Sequence, residues 1–537
     1  MTECQSSESH QGQDMSKSAI LAMKPGHDGA LAFMVGGRLE YSIEGEKGSY
    51  PRNGPITIES AIAAACFTPV APDVIALGGW QKPLSTSFSD IGAGYAGLEP
   101  GKLTTISPFG RSTMLYTSSH ERSHIFGAIA MSPFSACRQL AVLVWEGILG
   151  AFYTWTGPRD PIRRHHVLTE PGSRFAALFC IADPEFPDKA PWPSRNAAGK
   201  LMALVGLADD RPPQHSSVAL VESILTRASL WPSFKADYHG APLRNCGVTD
   251  PEFCRAAKYM SDRLFEIFHR AAKRIFPSPL PLVIGGGCGL NCEWNSRWRS
   301  CGLFTGVFVP PTANDSGSAI GTGVDAQVAL GGSCEIEWDV YSGPPLEADL
   351  TTAPPGWTRQ PLDVVALCEI IRAGAVVAWV HGRAEIGPRA LGNRSLVASA
   401  QDPHSKERLN EIKRREFYRP IAPVALEEDL GAWFDDESPD PYMLYFRYAG
   451  DVSAIPSAVH FDGSARVQSV SARSNPRMYG LLRAYKHMTG VGVLCNTSLN
   501  YPNRGFINSE AEVLEYCCST GIREAVVSNV WYRYVSG

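Results

Sequence analysis

The sequence predicts an α/β protein made of a duplicated N-terminal domain, whose halves face each other across a cleft, and a second α/β domain. Three observations predict it. ILAMKPGHDGALAFMVGGRLEYSIE reads as three strands joined by glycine turns. LAVLVWEGILGAFYTWTG repeats the theme of strand, acidic-glycine turn and strand far downstream. A proline- and threonine-rich stretch, SGPPLEADLTTAPPGWTRQPL, then breaks the pattern near residues 343 to 360.

In chain order, residues 1–18 are polar and expected to form a disordered tail. The N-terminal domain is expected over 19–345. Its first hairpin turns at Gly26 to Gly29 and its second at Glu146 and Gly147. Glycine there lets backbone amides approach a phosphate, and the neighbouring carboxylate can hold a metal or a water. PLVIGGGCGLNCEWN reads as strand, glycine run and helix, which seats a nucleotide at a helix start, although the full dinucleotide fingerprint is missing. GVFVPPTANDSGSAIGTGVDAQVAL repeats strand, break and helix. Asp315 within it is either that helix's N-cap or a metal ligand. The second domain is expected over 346–537, with apolar strands AVVAWV and VGVLCN among dense positive charge.

Net charge is -5, so no overall basic field draws the chain onto DNA, RNA or an anionic membrane. No apolar run approaches a membrane span and the N-terminus lacks a signal-peptide core, so a cytoplasmic location is expected. The 14 cysteines are scattered, many in apolar runs, which suits reduced buried thiols. Cys288 and Cys292 have no second pair to complete a zinc cage.

The run SSHERSHIFGAIA carries His120, Glu121 and His124. Two imidazoles four residues apart on a helix point the same way and can grip one metal ion. The same residues spell His-Glu-x-x-His, a zinc protease signature in which the glutamate polarises a metal-bound water. Ser118 and Glu121 read as a capping box that starts the helix at Ser119, where the helix dipole would keep both rings neutral. In the second domain, GRAEIGPRALGNRS presents arginines on a glycine-rich loop, which suits bidentate capture of phosphate. Most charge runs are solvated faces, and RLNEIKRREFYR reads as an amphipathic surface helix.

Taken in order, KPGHDGALA, SSHERSHIFGAIAMSPF, AAGKLMAL, GGGCGLNCEWN, PTANDSGSAIGTG, HGRAEIGPRALGNRSLVA, EIKRREFYRPIAPV, DGSARVQSV and LCNTSLN resemble the signature blocks of the O-carbamoyltransferases. That family includes nodulation and antibiotic-tailoring enzymes. KPGHDG, SSHERSH and VLVWEG are most similar to the branch acting on 3-hydroxymethylcephems. The resemblance covers nearly all of the chain from Ile20 onward. It implies an N-terminal actin-like (Kae1-like, ASKHA) domain and a C-terminal YrdC-like domain. It further implies that carbamoyl phosphate and ATP, with Mg2+, give carbamoyl adenylate in the C-terminal domain. The carbamoyl group then passes to an acceptor hydroxyl in the N-terminal domain, where a divalent metal, iron(II) first and manganese or zinc next, is held.

Carried over by residue, the resemblance makes His120, His124 and Asp315 the metal ligands, and His27 beside Asp28 the base for the acceptor. Lys200, Gly286, Gly287 and Asn291 would line the adenylate pocket. Lys413, Arg419 and Arg466 would clamp carbamoyl phosphate and ATP, with Arg389, Asn496 and Arg504 close by. The chain departs from many relatives in having Glu146 where they have aspartate, and no role is assigned to it. It also has NTSLNYPNRGF in place of an Asn-Thr-Ser block followed by a Gly-Glu-Pro turn. A cephem hydroxymethyl is the first expected acceptor, a sugar or macrolide hydroxyl the next, with contacts from segments after Gly79 and around Trp192. Partners are small molecules only, with no nucleic acid and no membrane, and the protein is a monomer or homodimer. Rival readings are a His-Glu-x-x-His metallopeptidase, a non-catalytic actin-like nucleotide-binding regulator, and tRNA threonylcarbamoyl chemistry, for which the acidic balance offers no broad RNA surface.

Overall fold

The computed structural model describes residues 18–83, 88–190, 196–231 and 233–535. The expected tail, apart from Ser18, and the segment around Trp192 lie outside the described residues.

Three sheets organise the chain. The first runs in the order Arg38–Glu44, Ala30–Val35, Ala19–Lys24, Val74–Leu77, Thr113–Thr117, Lys102–Ile106. The second runs Arg163–His166, Gly150–Trp155, Leu140–Trp145, Leu280–Gly285, Phe304–Phe308. Both therefore begin with a three-stranded antiparallel meander whose first strand pairs in parallel with a later one. The repeated topology agrees with the duplication expected from the two hairpins. All six residues of Leu140–Trp145 are buried, because sheet-facing helices cover both sides of it.

One helix of each half matters most for function. His120–Ala130 follows the strand Thr113–Thr117, and Ser318–Ala329 follows Phe304–Phe308. They pack against each other in one core between the two sheets, with Ile125, Ile129, Ile320 and Val324 buried. Small residues set the separation: a Cβ on Gly321 would sit 1.8 Å from the Ser123 carbonyl oxygen. Any larger residue there would force the helices apart. Arg122 and Asp325 form a buried ion pair between the same helices, with Nε 2.9 Å from Oδ2. The starts of both helices consequently meet beside the two hairpin turns. Four further helices, Pro171–Ala182, Ala197–Val205, His215–Thr226 and Pro251–Ile275, cover the outer face of the second sheet.

The third sheet has eight strands in the order Trp357–Pro361, Val530–Tyr534, Glu524–Val527, Val377–Val380, Arg394–Ser399, Val493–Ser498, Ala422–Leu426, Gln468–Val470. Val364–Arg372 and Pro476–Thr489 pack on one face, Ser405–Ile412 and Glu510–Thr520 on the other. The surface-helix reading of RLNEIKRREFYR is corrected in part. The helix stops at Ile412, and Lys413 begins an irregular, inward-facing segment. Among the described residues no helix is long and apolar enough to cross a membrane, and no disulfide forms.

Candidate active site

The start of His120–Ala130, the second hairpin turn and the turn Asp315–Gly317 before the Ser318–Ala329 helix each deliver one or two side chains to a single buried point. His120 Nε2 and His124 Nε2 are 3.2 Å apart. Asp315 Oδ1 lies 3.6 Å from the first and 3.3 Å from the second. Glu146 Oε2 lies 3.3 Å and 3.5 Å from the same two atoms. These four ligand atoms fall within 4.8 Å of one another, and all four residues are buried. Two imidazoles and two carboxylates converging in this way could hold a divalent metal ion, since nitrogen and oxygen donors at this spacing are its ordinary ligands. His120 Nδ1 has no hydrogen-bond partner among the described residues.

The electrostatics follow from the crowding. Burial pushes His120 below its ordinary value, although both carboxylates oppose it. Burial also disfavours charge on His124, but hydrogen bonds to Asp315 and Glu146 win and hold it up to about 9. At His124 the two carboxylates thus outweigh burial and the helix dipole. Burial raises both carboxyls, yet the histidines pull Glu146 well below the usual carboxylate range, and Lys24 with His120 does so for Asp315.

Asp315 is not a helix cap: the helix Ser318–Ala329 is entered at Gly317 with no side-chain cap. That leaves its carboxylate among the group that could hold a metal ion. The expected capping box is also corrected. Ser119, not Ser118, is the N-cap, and its side chain accepts from Arg122 N. Glu121 is fully buried and turned away from the cluster. It accepts hydrogen bonds from Tyr153 Oη at 2.6 Å and Gly97 N at 2.8 Å, and pairs with Arg164. A metallopeptidase needs this glutamate beside the metal, so the geometry rejects that reading.

Around the cluster, Lys24 Nζ sits 3.1 Å from Asp315 Oδ2 and over the Trp80 ring. His27 Nδ1 is 3.1 Å from Asp28 Oδ2, its ring edge-on to Trp80. The His27 side chain is 31% exposed, so of the residues here it is one that a substrate can reach. Tyr95 donates to Glu146 Oε1 at 2.7 Å. Gly286 has φ +92°, and a Cβ there would lie 2.5 Å from the Trp145 carbonyl, so the backbone runs where no side chain fits. Gly287 faces open space, and Asn291 caps the helix Cys292–Ser300 through its Oδ1. Lys200 pairs with Glu416 at 2.6 Å, joining the N-terminal helices to the C-terminal domain.

The second group is cationic. Burial lowers Arg389 to about 10 and Arg415 to about 9, and also lowers Arg419 and Arg466. Their mutual repulsion adds to it, and the nearest carboxylate to Arg419 is Glu416 at 4.0 Å. Arg389 Nε and Arg466 Nε have no hydrogen-bond partner among the described residues. Arg389 donates to Leu290 O and Arg415 to Ser498 Oγ, and four half-buried arginines gathered with so few carboxylates could hold an anion. Lys413 differs: its ammonium donates to Ser498 O, Asn500 O and Asn500 Oδ1 at 2.6 to 2.8 Å. Asn496 donates to Ala390 O and Gln468 Oε1, leaving its own Oδ1 unpartnered. Arg504 donates to Ser49 O, so it ties the domains together rather than facing the cationic group.

Two family models match, the Carbamoyltransferase N-terminus over residues 259–324 and the Carbamoyltransferase C-terminus over residues 368–534. The chain is 46% identical over 518 residues to the 3'-hydroxymethylcephem-O-carbamoyltransferase of Amycolatopsis lactamdurans, covering 96% of this chain and 100% of that one. It belongs to the carbamoyltransferase family. The protein of the same name from Streptomyces clavuligerus is also 46% identical, with 96% and 99% covered. Nodulation protein U of Rhizobium tropici is 33% identical over 93% of each chain. In this carbamoyltransferase, sequence reasoning placed both histidines and Asp315 but missed Glu146, Lys24, Trp80 and Arg415. Glu146 had a signal, the carboxylate beside glycine that mirrors Asp28 in the first hairpin. Arg415 had none that separates it from a solvated charge run.

Proposed function

We propose that this enzyme makes carbamoyl adenylate from carbamoyl phosphate and ATP in the C-terminal domain, over residues 346–537, and uses it in an actin-like N-terminal domain over 19–345. The observation that carries the reading is the pair of chemically opposite sites, a half-buried four-arginine group and a buried histidine-carboxylate cluster. Carbamoyl phosphate and the ATP triphosphate bring the anionic charge that the arginines lack. During adenylation charge grows on phosphoryl oxygens, and Arg389, Arg415, Arg419 and Arg466 already point inward to stabilise it without reorganising. Lys413 fixes the loop Ser498 to Asn500 that backs this pocket. Water cleaves carbamoyl phosphate to carbamate and phosphate, the carbamate oxygen attacks the α-phosphorus of ATP as pyrophosphate leaves, and the adenylate, which water would hydrolyse, is consumed in the same molecule.

At the second site, His120, His124, Glu146 and Asp315 would hold the metal, iron(II) by preference, with manganese or zinc also suited to nitrogen and oxygen donors. When bound, the ion supplies Lewis-acid charge for the carbonyl or phosphate of the adenylate. Asp28 orients His27, whose exposed ring takes the proton from the acceptor hydroxyl. The AMP moiety leaves as the carbamate ester forms. Gly286 and Gly287 give close backbone approach for the adenylate, with Asn291 and Lys200 bordering it. The acceptor is a cephem hydroxymethyl, on the strength of the 46% identity to enzymes so named. Trp80, against His27 and His120, provides an apolar face for such a ring system.

The test incubates the protein with ATP, carbamoyl phosphate and a panel of hydroxylated antibiotics, following pyrophosphate and product mass. Arg419→Ala is expected to abolish pyrophosphate release. His120→Ala is expected to spare it and to block transfer. The reverse outcome would overturn this division of labour.

A further inference from the structure

Each carboxylate of the histidine-carboxylate cluster divides its two oxygens between two sides. Asp315 turns Oδ1 to the imidazoles, 3.3 Å from His124 Nε2 and 3.6 Å from His120 Nε2, while Oδ2 faces the first hairpin. There Lys24 Nζ lies 3.1 Å from it and His27 Nδ1 3.5 Å. Glu146 repeats the arrangement. Its Oε2 faces the imidazoles at 3.3 and 3.5 Å, and its Oε1 accepts from Tyr95 Oη at 2.7 Å.

The outer partners are themselves fixed. Lys24 ends the strand Ala19–Lys24 and is wholly buried. Its ammonium donates to His27 O, sits 3.9 Å from the centre of the Trp80 ring and pairs with Asp315, so a carbonyl, a π face and a carboxylate surround it. Trp80 closes on the hairpin because Gly26 has no side chain: a Cβ there would lie 2.5 Å from the indole. An ammonium out of water holds its carboxylate firmly, since parting would leave two buried charges unpaired. Tyr95 packs on the His120 ring with centroids 4.5 Å apart, and the carbonyls of Gly94 and Tyr95 accept from His120 N and Glu121 N. Both partners are thus anchored to the elements that carry the ligands.

A carboxylate with two free oxygens can take a metal ion with both and fill two of its positions. One whose second oxygen is already engaged offers a single donor. We propose that Lys24 and Tyr95 are positioning residues that hold Asp315 and Glu146 to one donor oxygen each, so that an ion in the cluster keeps a position for a substrate oxygen. This rests on reading the cluster as a metal site. Partners behind the ligands commonly set how those ligands bind, and a catalytic site differs from a structural one in keeping a position open.

The full chain is loaded with Co2+, whose visible band reports its ligands, and titrated with azide as wild type, Lys24→Met and Tyr95→Phe. Wild type is expected to hold cobalt through dialysis and to bind azide with a shift of the band. In both variants the freed oxygen is expected to turn onto the ion, so that cobalt is retained while azide affinity falls roughly tenfold. Y95F changes no charge, so its loss separates the closing of a position from the weaker attraction of K24M for an anion. Because it removes a single oxygen atom, Y95F decides the matter alone if K24M does not fold. Unchanged azide affinity in either variant would overturn the proposal, a loss in K24M alone being an effect of charge. Loss of cobalt from the variants would also overturn it, making Lys24 and Tyr95 mere supports of the ligand set. A wild type that binds no cobalt would instead overturn the metal reading, and this proposal with it.

Discussion

Glu146 Oε2 lies 3.3 Å from His120 Nε2, so the second hairpin turn closes onto the first turn of the helix from the other half. This contact completes a four-donor cluster that two histidines and Asp315 alone would leave open on one side. Glu146→Ala is expected to lower metal affinity by at least about tenfold. Metal content after dialysis, read by mass spectrometry, checks it; a variant that retains metal like wild type would remove Glu146 from the ligand set.

Glu121 stands in the same helix turn yet serves the fold. Glu121→Gln is expected to keep wild-type metal content while losing about 1–3 kcal/mol of stability, since Arg164, Tyr153 and Gly97 all rely on its carboxylate. Chemical denaturation and metal analysis on the same preparation separate the two effects. Loss of metal with unchanged stability would restore the peptidase-like arrangement.

Lys413 and Arg419 are expected to differ in sign. Lys413→Met takes the ammonium from Ser498 O, Asn500 O and Asn500 Oδ1, the last of which keeps Ser498 Oγ, and should cost about 2–4 kcal/mol. Arg419→Met removes a cation from a repelling group and should be neutral or stabilising while eliminating activity. Melting curves of the two variants decide it.

Asp440 carries a pH dependence. Burial pushes its carboxyl up to about 6, although the amides of Tyr442, Leu444 and Tyr445 favour its charge. The unfolded value is about 4, so between the two the folded state binds more protons and stability falls as pH rises. The contribution is fully present below about pH 4 and lost through pH 6, about 3 kcal/mol in all. Wild type should therefore lose stability more steeply than Asp440→Ala over that window. The segment Asp440 organises places Met443 and Leu444 carbonyls against Cys292 and Asn295, so the same titration should loosen the seam between the domains. Denaturation at pH 4, 5, 6 and 7 checks the slope.

Much of the fold was legible in advance. The strands Ala19–Lys24, Ala30–Val35 and Arg38–Glu44 fall where glycine turns divide apolar runs, and Leu140–Trp145 with Gly150–Trp155 repeats them. His120 and His124 were legible because a four-residue spacing on a helix is a local rule. The cap was misplaced by one residue because Ser118 and Ser119 are equally good acceptors, and Ser118 is drawn instead to Asp325 on the partner helix. Arg415 and Arg419 were hard to grade because an arginine in a charged run looks alike whether it faces water or a pocket.

The sequence by itself determined the strand and turn pattern and the paired imidazoles, both of which depend on near neighbours in the chain. Only the tertiary structure decided that Glu146 joins the cluster while Glu121 leaves it, and that Lys413 holds a loop while Lys47 reaches across to Gly387. The physical reason is close packing: Gly321 against the Ser123 carbonyl fixes how two distant helices meet, and that one separation sets which donors converge.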